Sequence, residues 1–586
     1  MTYSAGRWKL DELLPSADPA EIDKSLKSID RRVKKVETWR KRLKASLSGK
    51  DFLALLKDYE ALQRDLLRLY YFVSLGFAAD TQDQAGLTLL GQVQQQLAYV
   101  ENRVLFFSLW WKALDDRQAE RLMKAAGDAG YWLEEMRHFK PHTLSEPEEK
   151  IVNLKDVNGL RALETVYDTI TNKFVYTLKV RGERKQLTRD ELGVYVRDAD
   201  PEVRAAAYRE QYRVYGEHAT VLAQIYSHIV RDWRTENVEL RKFKQPISVR
   251  NLSNDIPDAV VETLLNVVRA NASVFQRYFN VKARMIGMPR LRRYDLYAPL
   301  SSSDKQFSYD TAVKMVVDTF GRFSPRVGQL AGQVFEAGHV DAEVRHGKQS
   351  GAFCASVFPG VAPWVLTNYN GRANDVATLA HEMGHAIHAL LASDHAVMTF
   401  HPGLPLAETA SVFGERLVTE RLLAEETDPA VRRDLLASSL DDAYATVGRQ
   451  GYFSLWEKEV HELVHQGKTA EEISIRYLES LHEQFGDAVE INDDFRWEWI
   501  AIHHFYQVPF YVYAYAFGQL LVLALYKRYK QEGESFKPKY LKILSYGGSK
   551  APAEILSEAG INIKSAKFWQ GGYDVINELI DELERL

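Results

Sequence analysis

Three histidines and a glutamate fall inside the stretch TLAHEMGHAIH, Thr378 to His388, of a chain that holds 16 histidines in 586 residues. If the stretch is helical, His381 and His385 lie about 6 Å apart along the axis and about 40° apart around it, so their imidazoles point to one place. That is the geometry of two ligands on one metal, and neutral imidazole is a borderline-soft donor that suits zinc. Glu382 is turned by about 100° from His381, which makes it a poor ligand but lets it reach a water held by the metal. In H-E-x-x-H hydrolases the metal lowers the pKa of that water and the glutamate takes its proton.

Such a site needs a third ligand. Past the histidine segment, a loop containing His401-Pro402-Gly403 leads to Pro405, a proline suited to the first turn of a new helix. On one continuous helix Glu408, Ser411 and Glu415 form a stripe at i, i+3 and i+7, and an antiparallel return carries Glu408 to the metal. Two histidines and one glutamate leave the fourth tetrahedral position for water, as catalysis requires, whereas a structural zinc site is closed by four protein ligands. Glu415 is then placed to accept the free N–H of a ligating imidazole. His388 is assigned to a supporting position or the cavity wall, because a fourth protein ligand would close the site.

The elements that must position these residues are mostly helical. Asn374-Asp375 supplies a helix start, and Val376, Leu379, Ala380, Met383, Ile387 and Leu390 continue an apolar face. The first 200 or so residues read as long amphipathic helices, with Ile29, Val33, Val36 and Leu43 on one stripe and Leu53, Leu55, Leu56, Tyr59, Leu62 and Leu66 on the next. The basic run RRVKKVETWRKRLK lies opposite the first stripe and reads as a solvated face. GAFCASVFPGVAPWVLTNY, Gly351 to Tyr369, has β-branched and aromatic residues broken by Pro359-Gly360, a hairpin-like pattern just before the histidine helix. Downstream the sequence is helical to its end, where Ile576, Leu579, Ile580, Leu583 and Leu586 stripe a terminal helix. Asp200 and Pro201 read as an N-cap and first helical residue at a junction. The expected fold is therefore mainly α with a small β-sheet next to the zinc-binding helix. The expected division is an N-terminal helical domain over 1–200, forming one wall of a channel, and a catalytic domain over 201–586.

Composition narrows the partners. A 46% hydrophobic and 26% charged chain with a net charge of only −5 gives no sign of nucleic acid or membrane as a partner. Asp11 and Glu12 interrupt the place where a signal peptide needs an apolar run, and LLVLALY, Leu520 to Tyr526, is too short to span a bilayer, so a cytoplasmic location is expected. The single cysteine, Cys354, excludes an internal disulfide and reads as a small buried hydrophobe rather than a nucleophile. YGGSK, Tyr546 to Lys550, lacks phosphate-loop spacing and reads as a plain loop.

Five motifs in order, GKQSGAFCASVFPGVAPWVLTNYNG, HEMGHAIH, LAETASVFGE, HHFYQVPFYVYAYAFG and SYGGSKAPAEIL, resemble the M3 family of zinc metallopeptidases, the thimet oligopeptidase relatives, and within it the oligoendopeptidase F branch. The likeness extends to WKLDELLP and NLSNDIPDAVVETLL and so runs over nearly the whole chain. It implies two helical halves enclosing a deep substrate channel with one Zn2+ on its floor, and cleavage of internal bonds in short unstructured oligopeptides. It also implies that Ala352, Phe353 and Ala355 offer a strand edge to substrate backbone. A histidine and tyrosine hydroxyls of the fourth motif would stabilise the oxyanion. The pattern favours His504 over His503, and Tyr511 and Tyr515, four apart, would share a helix face from which Tyr513 is turned away. The rival readings are a zinc carboxypeptidase or dipeptidyl carboxypeptidase, distinguished by product mapping, and an inactive peptide-binding protein, disfavoured by the intact Glu382.

Overall fold

The apolar stripes of the N-terminal region are buried as helix packing requires. In a computed structural model that describes residues 2–300 and 305–586, Ile29, Val33 and Val36 are buried on the helix Pro19–Thr38. Leu55, Leu56, Leu62 and Leu66 are buried on the helix Gly49–Ala79 that packs against it. Each such side chain withdrawn from water contributes about 1.5–3 kcal/mol before entropy is counted. Leu53 departs from the expected stripe and is exposed. Pro19 takes the first position of the first helix, after an Asp18 whose side chain makes no capping bond, and the Ser48 hydroxyl caps the second by accepting from Asp51 N–H. The fold is mainly α with a few short strands.

The chain forms two compact units, and both are discontinuous in sequence. One comprises Met1–Lys140, Asp304–Glu425 and Arg528–Asn562; the other comprises Pro141–Ser303, Glu426–Lys527 and Ile563–Leu586. The sequence reading puts one boundary near residue 200, whereas residues 141–200 group with those that follow. The reason is local. Asp200 does cap the helix Pro201–Glu217 by accepting from Glu202 N–H, but a hairpin packs back on that helix. Thr177 N–H donates to Glu210 at 2.7 Å, and the Phe174 and Tyr215 rings meet edge to face at 5.2 Å. The turn at 196–200 is therefore a corner inside one unit.

That hairpin, Tyr176–Val180 paired antiparallel with Glu183–Leu187, lies in a region expected to be all helix. Arg181 and Gly182 both have positive φ, 51° and 90°, which is the tight-turn geometry that joins two twisted strands. The alternation of Tyr176, Leu178 and Val180, all buried, with Thr177 and Lys179 is the signal for it in the sequence.

In the first unit, Trp364–Leu366 is the middle strand of a three-stranded sheet. It pairs parallel with Val340–Asp341 and antiparallel with Phe353–Ala355, which forms an edge. The expected hairpin is present, and Gly360 in its connection has φ 93°. The sheet belongs to the core of the N-terminal helices: Trp364 is buried with Phe52, Leu55 and Leu62 in one apolar cluster, and its indole N–H donates to Lys9 O at 2.7 Å.

Candidate functional site

The helix Ala373–Leu391 starts one residue before Asn374, and the Asp375 carboxylate closes its first turn by accepting from Arg372 N–H at 2.9 Å. Val376, Leu379, Ala380, Met383 and Ile387 are buried beneath it. This fixes His381 and His385 on the face above. Their Nε2 atoms each lie 3.4 Å from one oxygen of Glu408, and one ligand atom from each of the three residues falls within 4.8 Å of the others.

Glu408 reaches that position by a route the sequence reading misses. The expected single helix from Pro405 is broken: Leu404–Ala407 is one short turn, Glu408 follows it as the C-cap, and a new helix runs Ser411–Glu425. The close approach of the two elements accounts for the break. A Cβ on Gly384 would lie 2.4 Å from Ala410 O and 2.5 Å from Ser411 Cα, so the backbone at 410–411 rests directly on the histidine helix. Ser411 Oγ donates to the Glu408 carboxylate at 2.6 Å and holds it. Glu415, one turn into the new helix, sits 2.9 Å from His381 Nδ1, which leaves His381 Nε2 for the shared point.

The electrostatics favour a cation at that point. Burial opposes protonation of His381, but hydrogen bonds to Glu408 and Glu415 outweigh it and raise the pKa to about 10. Burial also works against the charge on Glu408, yet His381 and His385 bring it down to about 2. Two carboxylates around two imidazoles thus retain a proton where a divalent ion would fit, and the oxygen and nitrogen donors suit zinc. Burial raises Glu382 to about 7, poised for proton transfer near neutral pH.

These groups line a cavity of about 470 Å³. Ala352, Phe353 and Cys354 border it from the edge strand, and His388, buried and lowered to about 3 by that burial, forms part of the wall. Ala355 is buried and does not line it. Burial pushes the Cys354 thiol up, away from nucleophile chemistry. Tyr71 and His401 also line the cavity, and neither carries a signal that separates it from other tyrosines and histidines of the chain. The YGGSK loop supports this wall: Gly548 N–H donates to Thr399 O at 2.8 Å, and a Cβ on Gly548 would fall 2.2 Å from His401 O.

In the second unit, His504, Tyr511 and Tyr515 form one aromatic cluster. The rings of His504 lie 5.9 Å from Tyr511 and 6.0 Å from Tyr515, and the two tyrosine rings are 5.3 Å apart. The expected shared helix face is not the cause. The helix His503–Gln507 ends, Tyr511 lies in a loop, and the next helix begins at Tyr513. Phe510, a non-glycine residue at φ 58°, makes the turn, and its N–H donates to the buried Glu457 carboxylate at 2.8 Å. Tyr513 is buried, its hydroxyl accepting from Asn254 at 2.8 Å. His503 instead faces Asp168 and Arg189 and packs edge-on to Tyr167.

Residues 194–575 match the family model described as Peptidase family M3, and residues 110–176 match that described as Oligopeptidase F. The chain belongs to peptidase family M3 and is a peptidase of its oligopeptidase F type. It is 29% identical to "Oligoendopeptidase F, chromosomal" of Lactococcus lactis subsp. cremoris, over 72% of this chain and 70% of that protein. It is 24% identical to "Oligopeptidase PepF" of Bacillus subtilis, over 99% of this chain and 87% of that one. The crystal structure of oligoendopeptidase-F from Enterococcus faecium shares the fold, with a TM-score of 0.72 at 22% identity, covering 97% of this chain and 98% of that one. No helix among the described residues is long and apolar enough to cross a membrane.

Proposed function

We propose that this protein is a zinc-dependent endopeptidase that hydrolyses internal peptide bonds of short unstructured oligopeptides. The observation that carries the reading is the convergence of His381, His385 and Glu408 within 4.8 Å beside the buried Glu382. In this reading those three residues hold one zinc ion, which when bound supplies Lewis acidity and makes a water acidic enough to lose its proton near neutral pH. Glu415 fixes the ring of His381 by accepting from Nδ1–H. Glu382 takes the proton of the attacking water and delivers it to the leaving amine. The donors that stabilise the oxyanion are His504, Tyr511 and Tyr515, and Phe353 with Ala352 beside it on the cavity wall receives substrate backbone, a role the buried Ala355 does not share. The names of the relatives, oligoendopeptidase and oligopeptidase, support the choice of short peptides and of internal cleavage. The reading also expects a cytoplasmic enzyme.

Glu382→Gln separates metal binding from proton transfer. The expected outcome is unchanged zinc content by elemental analysis with turnover reduced by roughly 10²–10⁴-fold. Peptides blocked at both termini, followed by mass spectrometry, check the internal position of the cut. Full turnover by the variant, or cleavage restricted to free C-termini, would overturn the corresponding part of the reading.

A further inference from the structure

The second unit contains a cavity of about 490 Å³ whose lining includes Arg189, Arg197, Arg293, Arg449, Tyr297 and Glu498. We propose that it is a carboxylate-binding subsite for the peptide substrate, with Arg449 and Arg197 as the groups that meet the carboxylate and Arg293 as the buried charge behind them.

The argument starts from the pairing of charges. Lys282 reaches both oxygens of Asp441 at 2.8 and 2.7 Å, so that carboxylate is already matched. Glu498 is the remaining buried acid of the cavity, and two guanidiniums share it: Arg293 Nη2 at 2.7 Å and, more distantly, Arg449 Nη2 at 3.3 Å. Its other oxygen is occupied by the Tyr477 hydroxyl at 3.1 Å. Two cations on one anion leave one positive charge over. Arg293 is 2% exposed, and its Nε and Nη1 are buried without a hydrogen-bond partner, as is Arg449 Nε, although the two guanidiniums lie over the Phe495 and Phe453 rings. Leaving charged N–H groups desolvated and unpaired is costly, which sets this arrangement apart from a settled core ion pair. At the cavity rim the Arg197 side chain makes no hydrogen bond or ion pair to a described residue; its guanidinium lies over the Tyr297 ring, 5.6 Å from its centre. Asp190 and Asp442 also border the cavity, but on its exposed side, where water and salt screen them.

One surplus positive charge matches a monoanion, and planar guanidinium forks match a carboxylate. The location connects the cavity to the peptidase chemistry. Arg189, in its lining, donates to Ala501 O at 3.1 Å and touches His503, next to His504. Burial and then the charge of Arg449 lower His504, a sign that Arg449 and His504 are close. The inference rests on the peptidase reading and deepens it, assigning oligopeptides that bear a free C-terminal carboxylate or an acidic side chain as preferred substrates.

The test uses the full-length, zinc-loaded Glu382→Gln protein, which would hold peptides without cutting them. Calorimetric titrations compare one octapeptide as free acid and as amide, and the amide with an internal Glu or Gln. At least one carboxylate form should bind about tenfold more tightly than its neutral counterpart, a ratio expected of a charge-assisted pair. The ratio should fall towards one when Arg197→Gln or Arg449→Gln is added. The C-terminal and side-chain arms tell which carboxylate is held. Equal binding of charged and neutral forms in both arms, or a ratio that survives both arginine changes, would overturn the proposal. Arg197 is exposed, so its replacement leaves folding intact even if Arg449→Gln does not fold. If the wild-type protein cuts none of these peptides while the ratio holds, the subsite stands and the peptidase reading falls.

Discussion

Between His381 Nδ1 and Glu415 there are 2.9 Å, and that contact decides which ring nitrogen of His381 is left for a metal. Replacing Glu415 by Gln keeps the shape but removes the negative charge that raises the basicity of the imidazole. Zinc affinity should fall by about 10–100-fold in a chelator competition; unchanged affinity would mean that the ring is held by packing alone. At this scale the sequence was informative where chemistry is coded by spacing within one helix, as for His381, Glu382 and His385. It was also informative for Glu408 and Glu415 as nearby carboxylates. It was silent on Tyr71 and on the Arg293–Glu498–Arg449 cluster, because those residues meet through tertiary packing between segments more than 40 positions apart.

The helices around the site are held at a fixed distance by glycine. Gly384, inside the histidine motif, admits the Ala410–Ser411 backbone, and Gly414 on the facing helix sits 3.3 Å, measured from an added Cβ, from Ala380 O. Gly384→Ala should push the Glu408 turn away from the histidines. We expect a loss of roughly 1–3 kcal/mol of stability, typical of overpacking, together with weakened zinc binding, read by thermal denaturation with and without the metal. Retained zinc affinity would show that the turn can shift without moving the carboxylate. Helical periodicity predicted the histidine helix well but could not show that the Pro405 helix breaks at Glu408, since the cause is the neighbour's missing side chain. The Tyr511 loop is a similar case: the four-residue spacing to Tyr515 suggests a helix face, yet Pro509 and the positive φ of Phe510 break the helix and the rings meet across the turn.

At the scale of the molecule, one buried acid should be visible in the pH dependence of stability. Glu457 is fully buried and desolvation raises it to about 8, only partly offset by the Phe510 N–H and the charge of Arg250. The folded state therefore keeps a proton that an unfolded carboxyl, with a pKa of about 4.3, gives up. Its favourable contribution is complete below the unfolded value and is lost as pH rises through about 8. Glu457→Gln removes this loss, so the variant should gain about 3–4 kcal/mol relative to wild type between pH 5 and pH 8.5, measured from melting curves. A constant difference across that range would show that Glu457 does not titrate in the folded protein. The overall helical class and the small sheet were legible from periodicity, but the division into units was not, because each unit is assembled from three separate stretches of chain. That interleaving bears on how the protein is made. Trp364 and its strand complete the core of helices laid down in the first 140 residues, and the unit closes only with residues 528–562. At about 5–20 residues per second of synthesis, the opening helices wait roughly 20–80 s for their last partners. The nascent chain thus spends that interval with unfinished apolar faces, so a ribosome-associated chaperone or slow translation bears on its yield more than on its final stability.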